Sequence, residues 1–195
     1  MLTLYYSTGS SSMATHIALY EVGAPFEAKL TELHKHAHRA PEYLSVNPEG
    51  KVPTLVIDGR PLTEVAATLW YLARRYPEAG LLPQFGDIEA EARVISWMSF
   101  IAATIHPSRR QGDDSWRAAF HAAEQRLGPN EWAAGRYSIA DIHLFRLFWR
   151  FVDTLGLGTR DPYPNLSAHY DRMLQRPAVQ KVLELEGAIG YHLPR

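Results

Sequence analysis

The sequence predicts a protein of the α/β + all-α class, built from an α/β unit followed by an all-helical unit, in a chain of 195 residues. Residues 1 to about 80 mix short β-prone segments with helical ones, whereas residues 87–195 carry helical patterns only. Between them lies a stretch, 77–86, that contains two prolines and two glycines. We therefore predict domains at 1–80 and 87–195, joined by a linker at 81–86.

The first unit shows the order strand, helix, strand, helix, strand, strand, helix. An aromatic, β-prone start precedes a glycine-serine loop and then apolar residues at helical spacing. Asp58-Gly59 is a hairpin signal, and Pro61 indicates an edge strand. The predicted elements are a strand at 2–7, a helix at 13–22, an extended stretch within 25–33, a turn of helix after Pro41, strands at 54–57 and 60–62, and a helix at 63–76.

The second unit shows helices separated by proline and glycine. A long amphipathic helix is predicted at 87–105, where Pro107 and Gly112 are expected to break it. Ser138 and Asp141 form a variant of the capping box, so that a helix begins there and reaches about residue 155. The other predicted helices run from 113 to 127, from Pro164 and from Pro177.

Composition excludes several classes of protein. Apolar residues make up 46% of the chain, which excludes disorder as its main state. The net charge of −1 gives no general attraction to nucleic acid or to an anionic membrane, so neither is expected as a partner. Because cysteine is absent, there is no disulfide framework, zinc–thiolate site or cysteine nucleophile, and no metal is expected. No signal-peptide pattern or membrane-length apolar run is present, and a soluble, cytoplasmic protein is expected.

Three motifs carry a resemblance to a known family. They are Asn47-Pro48-Glu49-Gly50-Lys51-Val52-Pro53-Thr54-Leu55, Leu62-Thr63-Glu64 and Ser138-Ile139-Ala140-Asp141. In this order and spacing the whole chain resembles the cytosolic glutathione transferases, and the first residues are most similar to the bacterial beta-type enzymes. The resemblance implies a thioredoxin-like N-terminal domain, a helical C-terminal domain, a homodimer, a role in detoxification and glutathione as the cosubstrate.

The resemblance also implies how glutathione is held. Val52-Pro53 would be a cis peptide whose valine backbone pairs with the cysteinyl part of glutathione like an added strand. Glu64 would bind the γ-glutamyl ammonium, while the N–H of Val65 binds its carboxylate. From the residues alone, Pro53 could instead merely begin a strand, and Glu64 could merely cap a helix.

Activation of the thiol needs a hydrogen-bond donor beside the sulfur. The loop Ser10-Ser11-Ser12, just before the first helix, supplies hydroxyls and backbone N–H groups. Beta-type enzymes have a cysteine here, and alignment places Ser11 at its position. Ser11 ranks first, while Ser10, Ser12 and Tyr6, at the end of the first strand, are alternatives. A serine cluster that only caps the helix explains the same residues without a ligand.

Three further side chains complete the candidate set. Lys51 could reach the glycyl carboxylate of glutathione. Lys35 could do the same, although it could equally be a solvated loop charge. His106 matches a beta-type histidine, and its helix end favours imidazolium. It could line the pocket of the second substrate or assist a proton transfer, or it could equally be a surface histidine that ends the helix. We predict a glutathione transferase that acts on a small apolar electrophile. One alternative is another glutathione-dependent activity, such as isomerase, peroxidase or disulfide reductase. The other is a non-catalytic module for glutathione binding or dimerisation.

Overall fold

The computed structural model describes residues 1–154 and 159–192. The chain divides into two compact units, one of Met1–Ala79 together with the segment that starts at Pro177, and one of Gly80–Arg176. The last helix of the chain, which the sequence pattern grouped with the helical region, thus belongs to the first unit. This class of architecture, a sheet-containing N-terminal unit with a helical unit after it, is the one predicted.

The helices and strands follow the predicted order. The strands are β1 (Leu2–Tyr6), β2 (Phe26–Leu30), β3 (Thr54–Ile57) and β4 (Arg60–Thr63). The helices are α1 (Ser12–Glu21), α2 (Pro41–Val46), α3 (Val65–Arg75), α4 (Ile88–Phe100), α5 (His106–Ser108), α6 (Asp113–Leu127), α7 (Ile139–Trp149), α8 (Pro164–Leu174) and α9 (Pro177–Ile189).

The four strands form one mixed sheet in the order β2-β1-β3-β4. β1 is parallel to β2 and antiparallel to β3, and β3 is antiparallel to β4. Pro61 therefore lies on an edge strand, as predicted, where its missing N–H costs no ladder hydrogen bond. The β1-α1-β2 crossover places the N-terminus of α1 directly after the end of a central strand.

α1 packs against α3 and α9 within the first unit. The hydroxyls of Thr15 on α1 and Thr68 on α3 are 2.8 Å apart, so two buried polar groups satisfy each other. α3 begins two residues later than predicted. Thr63 instead completes β4 by pairing with Thr54, and Glu64 turns the chain with φ 68° before the first helical residue.

In the second unit, Pro107 does not break the helix that precedes it. α4 passes into a π-helical turn, Ile101–Ile105, and then directly into α5, where the N–H of His106 donates to the carbonyl of Ile101. Proline has no N–H to donate, and this wider turn accommodates that loss without ending the helix. The segment ends at Gly112, whose φ of 111° suits glycine.

α7 is the buried centre of the second unit, and the predicted capping box opens it. Ser138 Oγ accepts from the N–H of Ala140 at 3.3 Å, while Asp141 accepts from the N–H of Ser138 at 2.8 Å. Asp141 also accepts from the N–H of Ala133 at 2.7 Å and lies 3.0 Å from His169 Nε2, so its role is structural, as expected. The predicted end of this helix near residue 155 lies outside the described residues.

Candidate functional site

Two of the three loop serines build the loop itself. Ser12 is fully buried, and its Oγ accepts from the N–H of Ser7 at 3.0 Å and donates to the carbonyl of Ser7 at 3.1 Å. Ser10 Oγ lies 2.7 Å from Ser12 Oγ and accepts from the N–H of Ser12 at 3.2 Å, which caps the start of α1. Part of the serine cluster is thus the structural cap that the sequence already suggested.

Ser11 differs from its neighbours. It is the N-cap residue of α1, yet among the described residues its side chain makes no capping hydrogen bond. Its Oγ instead donates to the carbonyl of Val52 at 3.1 Å, and the side chain is only partly buried. This bond joins the helix N-terminus to the loop before β3, the two segments that the sequence singled out independently.

The Val52–Pro53 peptide is cis, as the resemblance implies. Val52 is 8% exposed, so its side chain is buried while its backbone faces Ser11. The two residues end the loop that starts at Asn47 and lead straight into β3. Pro53 thus lies immediately before β3. The alternative interpretation, in which Pro53 only begins a strand, therefore agrees with its position as well.

Side chains of the loop and of α2 hold the loop before β3 in place. Asn47 Nδ2 donates to the carbonyl of Lys51 at 2.9 Å and to Thr54 Oγ1 at 3.0 Å, while Tyr43 Oη donates to that same carbonyl. Gly50 has φ 60°, and a Cβ there would lie 2.8 Å from the carbonyl oxygen of His38. These contacts explain the asparagine and the glycine of the first motif without any ligand.

Glu64 precedes α3 but does not act as a simple helix cap among the described residues. It is exposed, and within the described part of the chain its side chain makes no capping hydrogen bond to α3. Its carbonyl accepts from the N–H of Thr68 at 3.0 Å, so α3 starts regularly from this residue. The first N–H groups of a helix have no intrahelical acceptor, which leaves Val65 as a donor for an anion beside the Glu64 carboxylate.

A buried glutamate from α9 fixes the backbone in front of the serine loop. Glu186 is fully buried, and its two oxygens accept from the N–H of Gly9 at 2.6 Å and from His16 Nδ1 at 2.8 Å. Thr8 Oγ1 donates to the carbonyl of Gly190 at 2.6 Å beside it. This contact was not predicted from the sequence. The available signal was the position of Glu186 at helical spacing from the apolar Val182, which puts a glutamate on the apolar face of α9.

Tyr6, the alternative donor, packs inward. Its ring centroid lies 4.9 Å from that of His16, and the residue is 7% exposed. Burial raises the pKa of the phenol, and the charge of Glu186 and the neighbouring Tyr20 raise it further. A phenol in this setting stays protonated, and its described ring partner is on α1 rather than on the loop before β3.

The two lysines lie on the surface of the first unit. Lys35 Nζ is 2.8 Å from Glu32, and this ion pair lowers the pKa of that carboxyl. Lys51 Nζ is 2.8 Å from Glu49. Both side chains are about two-thirds exposed, at 64% and 66%, so the ion pairs leave them accessible to water.

His106, in the second unit, is neutral rather than charged. The helix was expected to end here and to favour imidazolium, but the helix continues into α5. Burial first, and then the charges of Arg146, Arg109, Arg110 and Arg150, lower the pKa of His106 to about 4. The expectation of a charged histidine was wrong, because desolvation and neighbouring cations outweigh any helix-end effect.

The described residues show neither a metal-binding group nor a membrane-spanning helix. Residues 1–154 and 159–192 contain no group of three or more histidine, aspartate, glutamate or cysteine side chains placed to hold a metal ion. Over the same ranges, every helix is too short or too polar to cross a membrane.

Comparison with known protein families gives two matches. Residues 1–74 match the family model for the glutathione S-transferase N-terminal domain, and residues 105–177 match the one for the C-terminal domain. A curated relative, glutathione S-transferase GstA of Escherichia coli O157:H7, is 31% identical over 95% of this chain and 99% of its own length.

Solved structures agree with these matches. A sphingomonad glutathione S-transferase complexed with glutathione is 33% identical, with a TM-score of 0.84 over 95% of this chain and 98% of that one. A bacterial beta class glutathione S-transferase of Sphingomonas chungbukensis is 35% identical, with a TM-score of 0.83 over the same shares of the two chains. The family suggested by the three sequence motifs is therefore confirmed.

Proposed function

Because the chain belongs to the glutathione S-transferase family, we propose that it binds glutathione on its first unit and activates the thiol for attack on an apolar electrophile. The observation that carries the proposal is the 3.1 Å hydrogen bond from Ser11 Oγ to the Val52 carbonyl. It brings the candidate thiol activator to the backbone that would hold the cysteinyl residue.

Binding of the glutathione backbone would use three groups. The Val52 carbonyl and N–H would pair with the cysteinyl residue as an added strand does. The γ-glutamyl zwitterion would meet the exposed Glu64 carboxylate and the N–H of Val65, a donor and acceptor pair that matches its two charges. Lys51 and Lys35, both exposed and already in surface ion pairs, are the candidates for the glycyl carboxylate.

Activation of the thiol would follow from an exchange of hydrogen bonds at Ser11. Without ligand, the Ser11 hydroxyl donates to the Val52 carbonyl. When the cysteinyl N–H of glutathione takes over that carbonyl, the hydroxyl becomes free to donate to the sulfur. A thiolate accepts this bond more strongly than a thiol does, so the bond lowers the thiol pKa, and the N-terminus of α1 acts in the same direction.

The size of the drop in thiol pKa determines what fraction of the bound glutathione is ionised and able to react. A free thiol with a pKa of about 8.5 is roughly 3% ionised at pH 7. A pKa lower by about two units requires about 2.7 kcal/mol of selective anion stabilisation and brings the ionised fraction to roughly 75%. One hydrogen bond to a charged acceptor, at about 1.5–3 kcal/mol, supplies an energy of this order.

The reaction would be substitution or addition by the glutathione sulfur. The thiolate forms the new C–S bond, and the leaving group departs with its electron pair or the electrophile takes up a proton. The protein itself forms no covalent bond and only orients and activates the cosubstrate. His106, neutral at pH 7 with its pKa at about 4, would line the pocket for the electrophile and offer hydrogen bonds without charge.

Three broader expectations belong to the same proposal. We propose a homodimer and a cytoplasmic location, in keeping with the family resemblance. We also propose that the functional division of the chain follows residues 1–80 and 87–195, joined at 81–86. The C-terminal helix α9, although it packs on α1, would then support the glutathione-binding unit from the far end of the chain.

Substitution of Ser11 tests the central role. Ser11→Ala is expected to lower kcat/KM towards an aryl halide about 10- to 20-fold at pH 7, because most of the bound glutathione would then be protonated. Ser45→Ala is the matched control, since this hydroxyl is exposed and, among the described residues, donates only to the carbonyl of Glu42. Unchanged kinetics in Ser11→Ala would transfer the role to Tyr6 or another serine.

Calorimetry on the same two variants separates binding from turnover. Glutathione binding should be retained in both, because Ser11 is assigned to the sulfur and not to the peptide backbone. Binding of glutathione without turnover of any electrophile in the unsubstituted protein would contradict the catalytic proposal and favour a binding or dimerisation module. A panel of isomerase, peroxidase and disulfide substrates would distinguish the other glutathione-dependent reactions.

A further inference from the structure

The residues assigned to glutathione in the first unit lie at one end of its sheet. β1 and β2 are parallel and pair as far as Tyr6 and Leu30, so both strands finish at this end. β3 is antiparallel to β1 and starts here at Thr54, and β4 ends here at Thr63, which pairs with Thr54. The same end of the sheet therefore carries the serine loop, the Val52–Pro53 peptide, Glu64 and the segment after β2.

The order of the strands gives the proposed ligand a direction. Along this end of the sheet the strands follow one another as β4, β3, β1 and β2. Under the proposed function, the γ-glutamyl group lies at Glu64, after β4, and the cysteinyl residue lies at Val52, before β3. Neighbouring strands are about 4.8 Å apart, and an extended chain advances about 3.3–3.6 Å per residue. The glycyl end of glutathione then points past β1 towards the segment that follows β2.

That segment carries a group of charged and titratable side chains, which we call the Glu32 cluster: Glu32, His34, Lys35 and His192. Lys35 Nζ lies 2.8 Å, and His34 Nε2 lies 3.9 Å, from the same oxygen, Oε1 of Glu32. The ring of His192, in the segment after α9, lies against that of His34, with ring centroids 4.5 Å apart. All four residues belong to the first unit. The cluster thus joins the segment after β2 to the segment after α9.

Two hydrogen bonds connect the Glu32 cluster to the serine loop. The N–H of Thr31 donates to the carbonyl of Tyr6, the last residue of β1, at 2.6 Å. Thr8 Oγ1 donates to the carbonyl of Gly190 at 2.6 Å, in the segment that carries His192. The cluster therefore lies beside the serine loop, on the side of β2.

The Glu32 carboxylate already occupies the Lys35 ammonium. The hydrogen bond from Lys35 lowers the pKa of the Glu32 carboxyl, and the charges of Lys35, His34 and His192 lower it further against an opposing effect of desolvation. Glu32 therefore stays ionised at neutral pH. Any other carboxylate that binds to Lys35 must compete with Glu32.

We propose that Glu32 competes with the glycyl carboxylate of glutathione for Lys35 and thereby lowers the affinity of the protein for this cosubstrate. The proposal rests on the proposed function, and it favours Lys35 over Lys51 as the partner of the glycyl carboxylate. The Lys35 ammonium would turn from one carboxylate to the other when glutathione binds, and no covalent bond would change. The side chains of Glu32 and Lys35 are 35% and 64% exposed, which leaves room for this movement.

The expected effect is modest because the groups are exposed to water. A solvent-exposed ion pair changes an equilibrium constant by a factor of about 1.4 to 5. Replacing Glu32 by glutamine removes the competitor for Lys35 and also its repulsion of the incoming carboxylate. Affinity for glutathione should therefore rise about threefold, whereas a ligand without the glycyl charge should gain nothing.

Calorimetry of the intact protein tests this with two ligands, glutathione and its glycyl monoethyl ester, which lacks the glycyl charge. The measured quantity is the affinity for glutathione divided by the affinity for the ester. Glu32→Gln should raise this ratio about threefold, and Lys35→Gln should lower it to about one or below. A ratio in Glu32→Gln equal to that of the unsubstituted protein would overturn the proposal.

Glu49→Gln is the matched control. Glu49 lies 2.8 Å from Lys51 in a surface ion pair of the same kind, but on the loop before β3. The ratio should be unchanged in this variant, because the glycyl end is expected beyond β1. A rise in Glu49→Gln without one in Glu32→Gln would assign the glycyl carboxylate to Lys51 and overturn the proposal.

Salt gives a second measurement on the same proteins. At 1 M salt the screening length is about 3 Å, so the difference in ratio between the unsubstituted protein and Glu32→Gln should largely disappear. A threefold difference that persists at 1 M salt would contradict a competition between charges.

Steady-state kinetics separate a role in binding from a role in the reaction. Glu32→Gln should lower KM for glutathione about threefold and leave kcat unchanged, because the sulfur is assigned to Ser11 and Val52. If the unsubstituted protein bound neither glutathione nor the ester, the proposed function would fail, and this proposal with it. If glutathione bound with a lowered thiol pKa but with the same ratio in Glu32→Gln, only the role of Glu32 would be overturned.

Discussion

Glu186 offers a stringent test of how the fold supports the site. Its carboxylate, fully buried on α9, accepts hydrogen bonds from the N–H of Gly9 at 2.6 Å and from His16 Nδ1 at 2.8 Å. Glu186→Gln keeps the size of the side chain but leaves one accepting oxygen and points an NH2 group at a donor. The loss of one hydrogen bond to a charged group should lower the free energy of unfolding by about 2–3 kcal/mol.

The same substitution should also loosen the serine loop. Gly9 directly precedes Ser10, and its backbone is held by Glu186, so kcat/KM with glutathione should fall further than it does in a control variant. Glu184→Gln is that control, because Glu184 is on the same helix, 71% exposed and paired only with Lys181 among the described residues. Urea unfolding followed by circular dichroism measures the free energy of unfolding of both variants. A Glu186→Gln value within about 0.5 kcal/mol of the control would refute the reasoning.

Two further predictions concern Glu64 in the candidate site and the buried His143. Glu64→Gln should raise KM for glutathione about tenfold or more and leave kcat little changed. The reason is that this exposed carboxylate is assigned to the γ-glutamyl ammonium of glutathione, away from the sulfur. An unchanged KM in steady-state kinetics would contradict the assignment. Burial lowers the pKa of His143 to about 3, so the folded protein should lose stability as pH falls below about 6.5, by about 1.4 kcal/mol per pH unit for each such histidine. His143→Phe should flatten this loss in thermal unfolding measured from pH 7 to pH 5, and an equally steep loss in the variant would count against it.

Local signals in the sequence were sufficient for most of the fold. Asp58-Gly59 and Pro61 predicted both the hairpin and the edge strand, because turn chemistry and a missing N–H act on neighbouring residues. Ser138 and Asp141 likewise predicted the start of α7. The cis peptide at Val52–Pro53 came from the family resemblance and is confirmed.

What the sequence did not indicate depended on contacts between distant segments. The hydrogen bond from the N–H of Gly9 to the carboxylate of Glu186 joins residues 177 positions apart, so no local pattern could predict it. Pro107 was expected to end a helix, but a π-helical turn absorbs its missing N–H. The neutral state of His106 also depends on burial and on arginines from α7 and the segment that continues it, which sequence spacing alone does not bring together.

The pKa of the thiol in bound glutathione tests the central claim most directly. Thiolate absorbance, followed against pH at saturating glutathione, gives this value for the protein and for Ser11→Ala. We predict a pKa about two units below the free value of about 8.5, with most of that shift lost in Ser11→Ala. A bound thiol that titrates near 8.5 in the unsubstituted protein, or a lowered pKa that survives the loss of Ser11, would contradict the account.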